Sequence, residues 1–120
     1  MTRKENSGYR DLTFNNWVRE NLPDSSTGFM VSDIDFFMYN YKTKRCMFLE
    51  TKSHLSRMKE WQKRMYNTLS LWVENGIDKE WTFYGYHVLT FENTDFSNGK
   101  AYLDGNEATE QQIIDFLSMN

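Results

Sequence analysis

Two periods organise the apolar positions of this chain. Residues 10–21 carry Leu12, Trp17 and Val18 at helical spacing and stop before Leu22-Pro23-Asp24-Ser25-Ser26. This predicts a short amphipathic helix with Phe14 and Trp17 facing the core. From Gly28 to Asn40 the run is rich in β-branched and aromatic residues, which predicts one strand, and a second is predicted from Arg45 to about Ser53. The short polar Tyr41-Lys42-Thr43-Lys44 between them makes a hairpin the economical connection, although the favoured Asn-Gly turn is missing.

Helical spacing returns over residues 57–75, placing Met58, Trp61, Met65, Leu69 and Trp72 on one side, with Asn75-Gly76 as the stop. Trp81 to Phe91 has the aromatic and β-branched content of a strand, Ala101-Tyr102-Leu103 predicts another, and Asn93 to Lys100 reads as a loop. Thr109 is placed to cap a last helix through Ile113, Ile114 and Phe116. The expected order is helix, strand, strand, helix, strand, strand, helix. Without repeats or linkers, residues 1–120 are expected to form one α/β domain, with 1–9 as a flexible arm.

Composition narrows the class. At 39% hydrophobic and 26% charged residues, 120 residues can bury one core and no second one. The single Cys46 cannot form an intramolecular disulfide, and no apolar run is long enough for a signal peptide or membrane span. The expected compartment is the cytoplasm. A net charge of −3 does not favour nucleic acid as a partner, but Lys42, Lys44, Arg45, Lys52, Arg57, Lys59, Lys63 and Arg64 make the centre locally basic.

Candidate chemistry lies on the first hairpin. Side chains alternate along a strand, so Asp33 and Asp35 share one face, and Glu50 and Lys52 share another. If Lys42-Thr43 is a two-residue turn, paired residue numbers sum to 85, which puts Asp35 opposite Glu50 and Asp33 opposite Lys52. A four-residue loop is expected to move the pairing by two and keep the same faces together, whereas an odd loop without a compensating bulge separates them. Clustered carboxylates in apolar strands need a cation, supplied by Lys52 and a divalent metal. Oxygen ligands suit Mg²⁺ or Mn²⁺, which polarises a phosphate and acidifies water, so the chemistry inferred is phosphodiester hydrolysis.

Asp35 followed by Glu50-Thr51-Lys52 on the next strand resembles the PD-(D/E)xK nuclease superfamily. Gln62 and Tyr66, one turn apart on the following helix, are similar to the Gln-xxx-Tyr motif of its RecB-like members. The resemblance covers residues 10 to about 91, and no proline precedes the Asp. It implies a restriction-endonuclease-like αββαβ core with a central mixed sheet flanked by helices. It further implies metal ligation by Asp35, Glu50 and the Thr51 carbonyl, with Glu20 as the acid of the first helix, while Asp33, on the face of Asp35, is a candidate auxiliary metal or water ligand by its strand position. Lys52 would be catalytic, and Gln62 and Tyr66 would support the site or bind DNA. Small size gives the chain a phage-like character by the same resemblance.

Blander readings stand beside these. Gln62 and Tyr66 also fit the polar margin of a core helix, Glu20 and Asp33 solvated acids, and His54 an exposed strand-end residue. His87 is expected to be bonded within the fold. The leading expectation is a Mg²⁺- or Mn²⁺-dependent nuclease acting on DNA, with a homodimer or a partner protein supplying specificity. Its alternative is a nuclease-derived binding or inhibitor module without turnover.

Overall fold

The computed structural model describes residues 13–119, so the expected arm over residues 1–9 lies outside the described residues. The chain forms two compact units, one ending at Ser32 and one beginning at Asp33.

In the first unit, helix α1 spans Thr13–Asn21, and a single 3₁₀ turn, Ser25–Thr27, is capped by Asp24 and closed by Gly28 at φ +92°. Phe14 and Trp17, expected in the core, are 69% and 49% exposed. Their rings stack on each other at 5.7 Å, one helical turn apart.

The second unit is a five-stranded mixed sheet with helices on both faces. Strands β1 (Phe36–Asn40) and β2 (Arg45–Lys52) are followed by helix α2 (Glu60–Gly76), then β3 (Thr82–Phe91), β4 (Ala101–Leu103), β5 (Asn106–Ala108) and helix α3 (Glu110–Leu117). Spatial order follows chain order; β2 and β3 are parallel across the α2 crossover, and all other pairs are antiparallel. Residues 46–50 of β2 are all buried. A strand covered on both faces needs such an unbroken run, with Glu50 as its one charged member.

Two apolar clusters divide the core. Leu49, Leu89, Ala101 and Ile113 pack on the α3 side, while Phe48, Met58 and Tyr66 pack on the α2 side with Phe83, Tyr86 and Val88. Phe83 shares a face with the even-numbered Tyr86 because β3 carries a bulge: Cys46 pairs with Phe83 but Phe48 with Tyr86. The extra residue is absorbed around Gly85, whose φ of +86° suits a residue without a Cβ.

The structure departs from the sequence expectation at several elements. The first strand begins at Phe36 rather than Gly28: its ladder with β2 ends at Phe36–Leu49, and beyond it the Asp35 side chain, not the backbone, takes the Thr51 N–H. The turn has four residues, Tyr41–Lys44, rather than two; Asn40 accepts the Lys42 and Thr43 N–H groups, and Lys44 takes φ +57°. It nonetheless gives the register expected of the two-residue turn, with no move by two, from Phe36 opposite Leu49 to Asn40 opposite Arg45. On α2 the packed stripe is Gln62, Met65, Tyr66, Leu69 and Val73, and Trp72, expected on that side, is 67% exposed. Strand β5 was not expected. The two-residue Asp104-Gly105 turn before it, with φ +51° and +86°, is the hairpin signal that marks it. Among the described residues no helix is long and apolar enough to cross a membrane.

Candidate active site

The last residues of β2 carry the site. Glu50 pairs with Val88 and Lys52 with Thr90 of the parallel β3, and strand alternation puts both side chains on the α2 face with Phe48. Glu50 is only 5% exposed. Burying a carboxylate is costly unless donors and a counter-charge replace water. Gln62 Nε2 donates to Oε1 at 3.2 Å, the Tyr66 hydroxyl donates to Oε2 at 2.9 Å, and Lys52 Nζ lies 3.6 Å from Oε1.

Gln62 and Tyr66 are therefore the buried residues of α2 rather than its polar margin. Tyr66 is fully buried, stacked on Tyr86 at 5.1 Å and set edge-on to Phe48. Burial first, then the Glu50 carboxylate, pushes its hydroxyl well above the ordinary phenol range, so it stays a donor at any working pH. The negative charge of Asp35 pushes the same hydroxyl further in that direction, by less than Glu50 does.

Asp35 immediately precedes β1 rather than lying within it. Its Oδ2 accepts the Thr51 N–H at 2.9 Å and the Thr51 hydroxyl at 3.1 Å, so a side chain takes over where the ladder stops. In an antiparallel ladder, a residue's N–H and C=O leave the strand on the same side. The Thr51 carbonyl is therefore directed to the side occupied by Asp35.

The other candidates are placed less centrally. Asp33 also precedes β1, and the cross-strand position opposite Lys52 expected for it does not form. Glu20 belongs to α1, in the other unit. His54 lies beyond β2 at φ +53°, exposed as expected, with its N–H bonded to the Asn93 carbonyl. His87 is bonded within the fold as expected: Nδ1 lies 2.6 Å from Asp104 Oδ2 and Nε2 lies 2.7 Å from the Tyr84 carbonyl. Sequence reasoning missed Asp104, which also accepts the Val88 N–H at 2.9 Å.

Among the described residues no three His, Cys, Asp or Glu side chains gather as a metal cluster. The candidate oxygen donors at the end of β2 are the Asp35 and Glu50 carboxylates and the Thr51 carbonyl; Asp35 is bound to Thr51, and Glu50 to Gln62, Tyr66 and Lys52. An all-oxygen set with one or two carboxylates fits Mg²⁺ or Mn²⁺, which fills its remaining positions with water and phosphate. No family model, curated protein or solved structure matches this chain, so the site is defined by its own geometry.

Proposed function

We propose that this chain is a metal-dependent nuclease that hydrolyses DNA phosphodiester bonds, with Asp35, Glu50 and Lys52 as its catalytic centre. The observation that carries this is the buried Glu50 carboxylate held by Gln62 and Tyr66, with the Lys52 ammonium at 3.6 Å. A purely structural core gains nothing from a charged pair there, since apolar side chains of similar volume serve stability as well or better. The order of helix, antiparallel strand pair, helix and parallel strand is also similar to a restriction-endonuclease-like αββαβ core.

Asp35, Glu50 and the Thr51 carbonyl would hold Mg²⁺ or Mn²⁺, which when bound polarises the phosphate and makes water a stronger acid. The protein's own groups do the rest. Gln62 and Tyr66 fix the rotamer of Glu50, as Thr51 fixes Asp35, so the carboxylates are oriented before substrate arrives. Lys52 presents its charge beside Glu50, where it offsets negative charge growing on the phosphate oxygens as water attacks.

One observation favours the second reading, a nuclease-derived binding module without turnover: Glu50 already has a cation and two donors inside the fold. Incubating linear, circular and single-stranded DNA with Mg²⁺, Mn²⁺ or EDTA separates the two. Metal-dependent cutting supports the nuclease, and intact DNA with folded, metal-supplied protein supports the binding module.

A further inference from the structure

Beside the catalytic centre lies a cleft of ≈ 640 Å³, bounded by residues 55–58, Lys63 of α2, and the α2-facing side chains of β3 and β4. That volume is in the range of roughly 300–1,000 Å³ typical of clefts that enclose small ligands. Val88 and Thr90 form its floor, and these are the ladder partners of Glu50 and Lys52. Thr90 pairs in turn with Tyr102. Lys52, Thr90 and Tyr102 therefore form one row across three strands, with Tyr102 about 10 Å from Lys52 at two strand spacings.

The walls combine two tyrosines and two cations. Tyr86 and Tyr102 both line the cleft, and Tyr86 is backed by Tyr66, the residue that holds Glu50. Arg57 makes no hydrogen bond or ion pair among the described residues, and Lys63 has only the surface contact to Glu60. The one acid at the rim, Asp104, is already engaged by His87 and the Val88 N–H. Apolar walls, aromatic rings and unspent positive charge match a nucleobase and its phosphate.

We propose that this cleft receives one unpaired base next to the scissile phosphate, with Tyr102 as its stacking platform and Arg57 and Lys63 as contacts to the flanking phosphate. The proposal rests on the nuclease reading and names its substrate class: single-stranded DNA, or duplex with an unpaired nucleotide at the cut. A base inside an intact duplex reaches such a cleft only by breaking its pair and leaving the stack, which disfavours fully paired DNA.

The test is equilibrium binding of labelled oligodeoxynucleotides to the full chain in EDTA at one fixed salt concentration, using single strands, paired duplex and duplex with one unpaired nucleotide. Wild type is expected to bind both unpaired substrates roughly tenfold or more tighter than paired duplex. Tyr102→Ala is expected to remove about tenfold from unpaired substrates alone, and Tyr102→Phe to restore it. Equal binding of paired and unpaired DNA by wild type, or undiminished binding by folded Tyr102→Ala, overturns the proposal. Selective binding without cutting in Mg²⁺ leaves the cleft standing and removes the nuclease, while metal-dependent cutting without selectivity does the reverse.

Discussion

Tyr66, fully buried on α2, donates its hydroxyl hydrogen to Glu50 Oε2 at 2.9 Å. A hydrogen bond to a charged group contributes about 1.5–3 kcal/mol, and removing the donor leaves a buried carboxylate oxygen short of a partner. Tyr66→Phe is therefore expected to lower unfolding free energy by about 1–3 kcal/mol in urea titration. It should also slow cleavage roughly 10–100-fold, the usual cost of freeing a metal-binding carboxylate from its support.

Glu50 and Lys52 form the charged pair of the α2 face, with the Lys52 side chain keeping 22% exposure. Lys52→Met leaves Glu50 without its cation. The expected loss of stability is below the roughly 3–5 kcal/mol of a fully buried pair, because solvent reaches Lys52. Combining Lys52→Met with Glu50→Gln removes the unpaired charge, so the double variant should be more stable than Lys52→Met alone while remaining inactive. A double-mutant cycle by thermal unfolding checks the sign of this coupling.

His87 has acceptors at both ring nitrogens, a carboxylate and a carbonyl, and such a site suits the doubly protonated ring. The Asp104 hydrogen bond raises its pKa above the ordinary 6.5, against the opposing effect of burial. Although burial works the other way, His87 and the Val88 N–H hold Asp104 below its ordinary 3.8. A raised histidine stabilises the fold fully below about 6.5, and this is lost as pH rises through the folded-state value. A depressed aspartate stabilises above about 3.9, and this is lost as pH falls through its lowered value. The melting temperature of wild type is thus expected to fall, from this pair, between mildly acidic and alkaline pH. Asp104→Asn should flatten that dependence and bring the His87 titration, followed by NMR, down toward the ordinary value.

Gly85 sits at the β3 bulge at φ +86°, with open space where a Cβ would be. Only the backbone penalty applies, so Gly85→Ala is expected to cost about 1–2 kcal/mol in unfolding free energy. The bulge also sets which β3 residues share the face of Glu50 and Lys52. Deletion of Gly85 should therefore impair the site far more than Gly85→Ala does, read as the ratio of cleavage rates.

The register of the first hairpin was legible because strand parity and the polar Tyr41–Lys44 stretch constrain it together. Its length was not, since the apolar Phe29-Met30-Val31 run reads as strand although the ladder with β2 ends at Phe36. Periodicity ranks Gln62 and Tyr66 as polar, and only the carboxylate facing them on β2 explains why they, rather than Trp72, are packed inward. Strand parity linked Glu50 and Lys52, whereas Gln62 and Tyr66 joined them only through the resemblance to the Gln-xxx-Tyr motif; the structure brings these four together. Asp104 lay in an Asp-Gly turn signal that the sequence displays plainly, yet its link to His87 depends on β3 and β4 pairing far from the turn.

A catalytic role for Glu50 and Lys52, as opposed to a merely structural one, is decided by turnover in folded variants. Its most direct test is the initial rate of cleavage of single-stranded DNA in Mg²⁺ by wild type, Glu50→Gln and Lys52→Met, each shown to be folded by circular dichroism. The wild-type rate is expected to be abolished by EDTA and by either substitution. Cleavage that persists in folded Glu50→Gln, or a folded wild type that leaves DNA intact in Mg²⁺ and Mn²⁺, would contradict it.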